Sequence, residues 1–260
     1  MSGSGGVIAV VLAQTTAGAL ALTWCTPLWH EAKRSYFTLF MVLLTVLIAV
    51  WAWWAARGAA HAGDEWAVRS ALLAGVTAFA CGASAASFLA RRRGAGRALG
   101  IAALPVAIVT LFAMAATGRQ GFAVAAFQVV AGAAFLGASV NGLFLGHWYL
   151  TDRKLPRTPI NRATDVLLVA CLVEIAAVTT SGFSGTAASQ AFNPLLTSGA
   201  LAPWIALGMV GATLLIAALV RTSLRGERAS AVQSATGFYY LAVVTAFTAE
   251  IAVKTRFFPG

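Results

Sequence analysis

The sequence predicts an all-α, polytopic integral membrane protein of about eight transmembrane helices, with N and C termini outside. Three observations predict it. Of 260 residues, 60% are hydrophobic and only 10% are charged, where globular chains carry roughly 25% charged residues. Apolar runs repeatedly reach the ~20 residues that a helix needs to cross the hydrocarbon core. The basic residues also gather in every second connection, the pattern that orients membrane helices. The hydrophilic segments between runs are short, so residues 1–260 read as a single transmembrane domain.

The spans expected are 6–28, 36–56, 70–90, 98–117, 121–150, 161–182, 201–221 and 230–253. The first is expected to be retained, because Met1–Gly6 has no basic residue and Val7–Trp29 is longer than a signal-peptide core. Trp24 and Trp29 fit the interfacial aromatic belt, with His30 at the boundary. The second span leaves the membrane through Trp51, Trp53 and Trp54, a further belt, toward Arg57, His61, Asp64 and Glu65. The third and fourth hold no charge and are rich in Ala, Gly, Ser and Thr, as packing helices are. Only Thr117–Gly121 separates the fourth span from the fifth, so a tight turn is expected there.

In the fifth span Ala134, Ala138, Gly142 and Gly146 recur every four residues. They form one smooth ridge, which lets another helix approach closely in lipid. Below the ridge come His147, Trp148 and Tyr149, then the loop Thr151–Arg162 with its four bases. The sixth span carries Glu174, a charged residue at mid-membrane. Ala170, Cys171, Ala177 and Ser181 share its face at helical spacing, so the carboxyl is expected to point inward. Asp165 is expected to pair with Arg162 or Arg157. The segment Gly182–Leu201 is polar but uncharged and reads as an external lid or interfacial stretch. In the eighth span Glu250 and Lys254 are one turn apart and read as a surface ion pair.

The connections after spans one, three, five and seven hold thirteen Lys and Arg, against five on the other side. That asymmetry makes the first set cytoplasmic. It also accounts for the net charge of +10 as loop charges facing lipid headgroups, so nucleic acid binding is not expected. The partners expected are the bilayer and other membrane or cytoplasmic subunits. Arg outnumbers Lys fifteen to three, a composition of GC-rich bacteria, which suggests a bacterial inner membrane.

Spans one and five both run inward and end in a His followed by an acid and bases: His30-Glu31-x-Lys33-Arg34, and His147 with Asp152-Arg153-Lys154. A parallel repeat of four plus four helices, 1–117 and 121–260, accounts for this. Cys25, Cys81 and Cys171 show neither disulfide nor metal spacing, and no metal site is expected. Walker A, zincin and Gly-x-Ser-x-Gly patterns are absent.

The function expected from these residues is a membrane subunit of a bacterial redox complex. His147, Trp148, Tyr149, His30 and Asn141 would border a quinone-type site near the cytoplasmic boundary, and Glu174 would relay protons. Imidazole suits such a site because it donates and accepts near neutral pH. The sequence names no cofactor. A haem on His30 and His147 is less favoured than a quinone, since both residues lie at helix ends, and three histidines exclude a two-haem arrangement. One alternative is a small proton-coupled permease using Glu174, because a buried membrane carboxyl is normally kept for proton, ion or substrate work. Another is a non-catalytic scaffold whose small-residue ridge docks a partner.

Overall fold

The computed structural model describes residues 3–29, 36, 38, 45–60, 64–118, 120–151, 155–180, 201–226, 229–255 and 257. Among the described residues there are eight helices and no strand. They are α1 (Gly3–Trp29), α2 (Leu47–Ala59), α3 (Glu65–Leu89), α4 (Arg93–Ala115), α5 (Phe122–Thr151), α6 (Thr158–Thr180), α7 (Ala202–Ser223) and α8 (Ala229–Lys254). Seven are long and apolar enough to cross a membrane, all but α2. The chain is a multi-pass helical protein suited to a lipid bilayer. The first part of the expected second span, the segment Gly182–Leu201, His30 and His61 lie largely or wholly outside the described residues.

Local chemistry sets the helix ends. The Asp64 carboxylate accepts the Ala67 N–H at 3.0 Å and caps α3, satisfying one of the donors a helix start leaves free. Pro203 stands in the first turn of α7, where its missing N–H is harmless. At the end of α4, Thr117 turns its hydroxyl onto the Met114 carbonyl at 2.7 Å. Only a short connection separates Ala115 at the end of α4 from Phe122 at the start of α5. Pro105 lies inside α4 without ending it.

The helices pack as two rings of four. In the first, α1, α2, α3 and α4 touch in sequence and α4 returns to α1. In the second, α5, α6, α7 and α8 do the same and α8 returns to α5. Each ring joins its last two helices through a threonine pair: Thr77 with Thr110 at 3.4 Å, and Thr213 with Thr245 at 2.7 Å. The rings meet along α1 and α5, whose spans are 72% buried against 33–44% for the other five membrane-length helices. Both are apolar on nearly every side, as helices buried mostly inside a bundle are.

Glycine decides where the rings meet. A Cβ on Gly18 would lie 1.8 Å from the Ala133 carbonyl oxygen, and one on Gly137 would lie 2.5 Å from the Gly18 Cα. The two backbones are therefore in direct contact, the close approach that small residues permit in membranes. The expected ridge serves a different neighbour. A Cβ on Gly142 would strike the Tyr239 ring at 2.0 Å, and one on Gly146 the Thr236 hydroxyl at 2.5 Å. The lower ridge thus packs on α8 of its own ring, so it is not open to an outside partner as the scaffold reading requires.

Candidate functional site: a buried carboxyl–lysine cluster

Helix α6 buries Ala170, Cys171, Glu174 and Ala177 on one face, as the spacing in the sequence predicts. Glu174 has no exposed surface. It lies six residues before Thr180, about 9 Å from the end of the helix at 1.5 Å per residue. It does not stand alone. The Glu250 side chain from α8 is its neighbour, near enough for the two carboxyl groups to interact. Lys254 Nζ lies 3.3 Å from Glu250 Oε2, with both side chains fully buried.

Here the structure corrects the sequence reading, which put the Glu250–Lys254 pair at the surface. The pair forms, but inside. Helix α8 turns Tyr239, Ala242, Ala246 and Ala249 inward with no measurable exposure. Glu250 and Lys254 continue that stripe at helical spacing, so the inward face of α8 carries the ion pair in with it.

Two glutamines complete the cluster. Gln14 of α1 donates its amide N–H groups to the carbonyl oxygens of Gln128 and Val129 on α5, at 3.3 and 3.2 Å. Lys254 donates to the same Gln128 carbonyl at 3.4 Å, and its ammonium stands 5.4 Å from the centre of the Phe257 ring. Gly132 makes room for these groups. A Cβ there would lie 2.0 Å from Gln14 Nε2 and 2.6 Å from Glu250 Oε2. Neither Gln14 nor Gly132 announces itself in the sequence. One is a lone amide in an apolar run, and the other is one of 25 glycines.

The hydrogen bonding is incomplete in an informative way. Among the described residues, with both acids ionised, the oxygens of Glu174 and Glu250 have no hydrogen-bond donor, and neither Gln14 Oε1 nor Gln128 Nε2 has a partner. The Lys254 ammonium is near enough to Glu250 for an ion pair but not aligned for a hydrogen bond. Two carboxyl groups in contact form a hydrogen bond only when one of them carries a proton. The arrangement therefore distinguishes a protonated state, with an acid–carboxylate bond, from a deprotonated state without one.

No known protein family, curated protein or solved structure matches this chain.

The residues expected to border a quinone are distributed differently. Asn141 is fully buried and accepts the Tyr36 hydroxyl at 3.1 Å. Trp148 meets the same Tyr36 ring edge-on, with ring centres 6.1 Å apart. Tyr149 is half-buried and His147 is exposed. Asn141 and His147 are six residues apart, about 600° of helical rotation, so they face different sides of α5. The structure thus joins Asn141 and Trp148 through Tyr36 and leaves His147 apart. His30 is outside the described residues. Asp165 pairs with neither expected arginine but with Arg221 of α7 at 3.2 Å, while Arg157 donates to the Gly226 carbonyl. Helix α7 brings its basic end alongside the start of α6, a neighbour that loop spacing does not reveal.

Proposed function

We propose that the protein is a proton-coupled permease of a bacterial inner membrane, with Glu174 and Glu250 as the proton-carrying pair and Lys254 as their fixed counter-charge. The observation that carries this reading is the contact between the two carboxyls beside one buried ammonium. Two carboxylates and one ammonium leave one negative charge. An ionised group in the hydrocarbon region costs about 2.5–3.5 kcal/mol or more, so the neutral arrangement holds one proton between the acids. A proton needs no room, and the packing over Gly132 leaves none for even a methyl group.

The position of the cluster supports coupling. Gln14 comes from the first ring, and Gln128, Glu174, Glu250 and Lys254 from the second, so the cluster lies on the seam where the rings meet. Gain or loss of the proton makes or breaks a hydrogen bond beside that seam. The matching order of packing in the two rings, with a threonine pair in each, supports a duplicated unit spanning 1–117 and 121–260. Transporters built from repeats set their coupling sites at the repeat interface. A second reading, the membrane subunit of a redox complex, rests on Tyr36, Asn141 and Trp148 as polar and aromatic neighbours suited to a quinone headgroup. In that reading Glu174 serves as the proton relay.

Infrared difference spectroscopy on purified protein stepped through neutral pH tests the proton pair. The wild type is expected to show the carbonyl stretch of a protonated acid, and Glu174→Gln to lose or shift it. A wild type with no such band, or a band untouched by both Glu174→Gln and Glu250→Gln, overturns the reading. Proteoliposomes holding a pH-sensitive dye, challenged with a panel of solutes, then separate the permease from the redox subunit. Solute-driven proton movement is expected only of the permease, and bound quinone in the lipid extract only of the redox subunit.

A further inference from the structure

Helices α3 and α4 leave a lateral cleft of about 720 Å³ between them, away from the carboxyl cluster. Leu72, Val109, Phe112 and Phe122 form its walls, and Trp66 and Arg69 close its polar end near the start of α3. Leu72 is 66% exposed and Val109 51%, so these walls open toward the bilayer. The cleft falls within the roughly 300–1,000 Å³ of small-molecule sites. Its apolar walls restrict the buried part of any occupant to hydrocarbon.

The charges at the mouth select the headgroup. Arg69 is ion-paired with Glu65 one turn away, and both side chains are exposed, at 49% and 72%. Exposed pairs of this kind are weak and exchange partners readily. The Trp66 ring lies 4.9 Å from the Arg69 guanidinium, a cation–π contact that holds the cation at the cleft. Glu65 sets one acid beside one cation, Arg69, at the mouth of the cleft, so the two charges there balance. That balance works against a headgroup that is only anionic.

We propose that the cleft binds a phospholipid whose headgroup carries both a phosphate and a primary ammonium. Its acyl chain lies against Leu72 and Phe112, its phosphate meets Arg69, and its ammonium donates hydrogen bonds to Glu65. Each residue of the weak surface pair exchanges its partner for the matching half of a zwitterion. A quaternary ammonium lacks the N–H groups for this, and a glycerol headgroup lacks the cation.

The test is a titration of delipidated protein with phosphatidylethanolamine, phosphatidylglycerol and phosphatidylcholine of identical acyl chains, read by native mass spectrometry. Phosphatidylethanolamine is expected to bind at least about fivefold more tightly than either of the others, roughly what one such polar contact supplies. Glu65→Gln and Arg69→Gln should each erase the preference, and Leu72→Trp, which adds bulk to the cleft wall, should weaken binding of all three lipids. All three side chains are exposed, so the variants are expected to melt like the wild type. Equal binding of the three lipids, or a preference that survives Glu65→Gln, overturns the proposal. A dimer that Leu72→Trp dissociates also overturns it, by assigning the cleft to a second copy of the chain.

Discussion

Glu250 and Lys254, one turn apart on α8, form an ion pair of 3.3 Å in which neither side chain reaches the surface. On a helix exposed to water such a pair contributes a few tenths of a kcal/mol. Buried, its geometry and surroundings decide everything, because each charge has given up solvation.

Removing one partner is therefore expected to be worse than removing both. Lys254→Met should destabilise the protein by about 3–5 kcal/mol, the cost of leaving buried charge uncompensated. Lys254→Met combined with Glu250→Gln should recover a large part of that loss. Unfolding in detergent, run as a double-mutant cycle, measures the coupling. An additive cycle would mean that the two groups do not interact.

Gly132→Ala places a methyl group where Gln14 and Glu250 already sit. Overpacking of this kind typically costs about 1–3 kcal/mol, and here it should also disturb the carboxyl contact with Glu174. Gly208 and Gly211 on α7 have open space where a Cβ would stand, clear of the other helices among the described residues. Alanine at either should be neutral or stabilise the helix by up to about 1 kcal/mol. A thermal melt of the three variants separates crowding from helix propensity.

The seam between the rings offers a sharper test. Gly137→Ala brings a Cβ to 2.4 Å from the Gly18 carbonyl carbon, and backbone cannot rotate out of the way as a side chain can. The α1 and α5 helices must separate, so loss of folded yield, or easier proteolysis between the rings, is expected. Gly18→Ala should behave alike, and normal stability of both variants would refute the direct backbone contact.

The two buried tyrosines should differ on removal of their hydroxyls. Tyr239→Phe breaks the 2.8 Å bond to Thr164, but the Thr164 hydroxyl keeps its bond to the Ile160 carbonyl. The expected loss is about 0.5–1.5 kcal/mol. Tyr36→Phe leaves the Asn141 Oδ1 without its tyrosine donor, in a residue whose Nδ2 has no partner among the described residues. The expected loss is about 1–3 kcal/mol. Chemical denaturation of the two variants side by side ranks them.

Much of the architecture was legible in the residue order. Glu174 and its inward face followed from Ala170, Cys171 and Ala177 at helical spacing, since a stripe of small residues in lipid marks a packed face. The same logic applied to α8 would have drawn Glu250 inward along Tyr239, Ala242 and Ala246. The place of Glu250 and Lys254 towards the outer end of the span, one turn apart, instead favours a surface reading. Asp165 shows the matching limit, because nearby arginines in sequence lost to Arg221 from another helix.

By itself the sequence determined the all-helical, multi-pass character and the location of seven of the spans. These depend on local composition, helical periodicity and the length needed to cross an apolar layer. It also marked Glu174 as a buried acid. Only the tertiary structure decided what meets that acid. Gln14, Gly132, Glu174, Glu250 and Lys254 come from four helices, and the contact depends on which faces the helices turn to one another and how closely Gly18 and Gly137 let the rings approach. Those are long-range packing choices, and no spacing within a single helix records them.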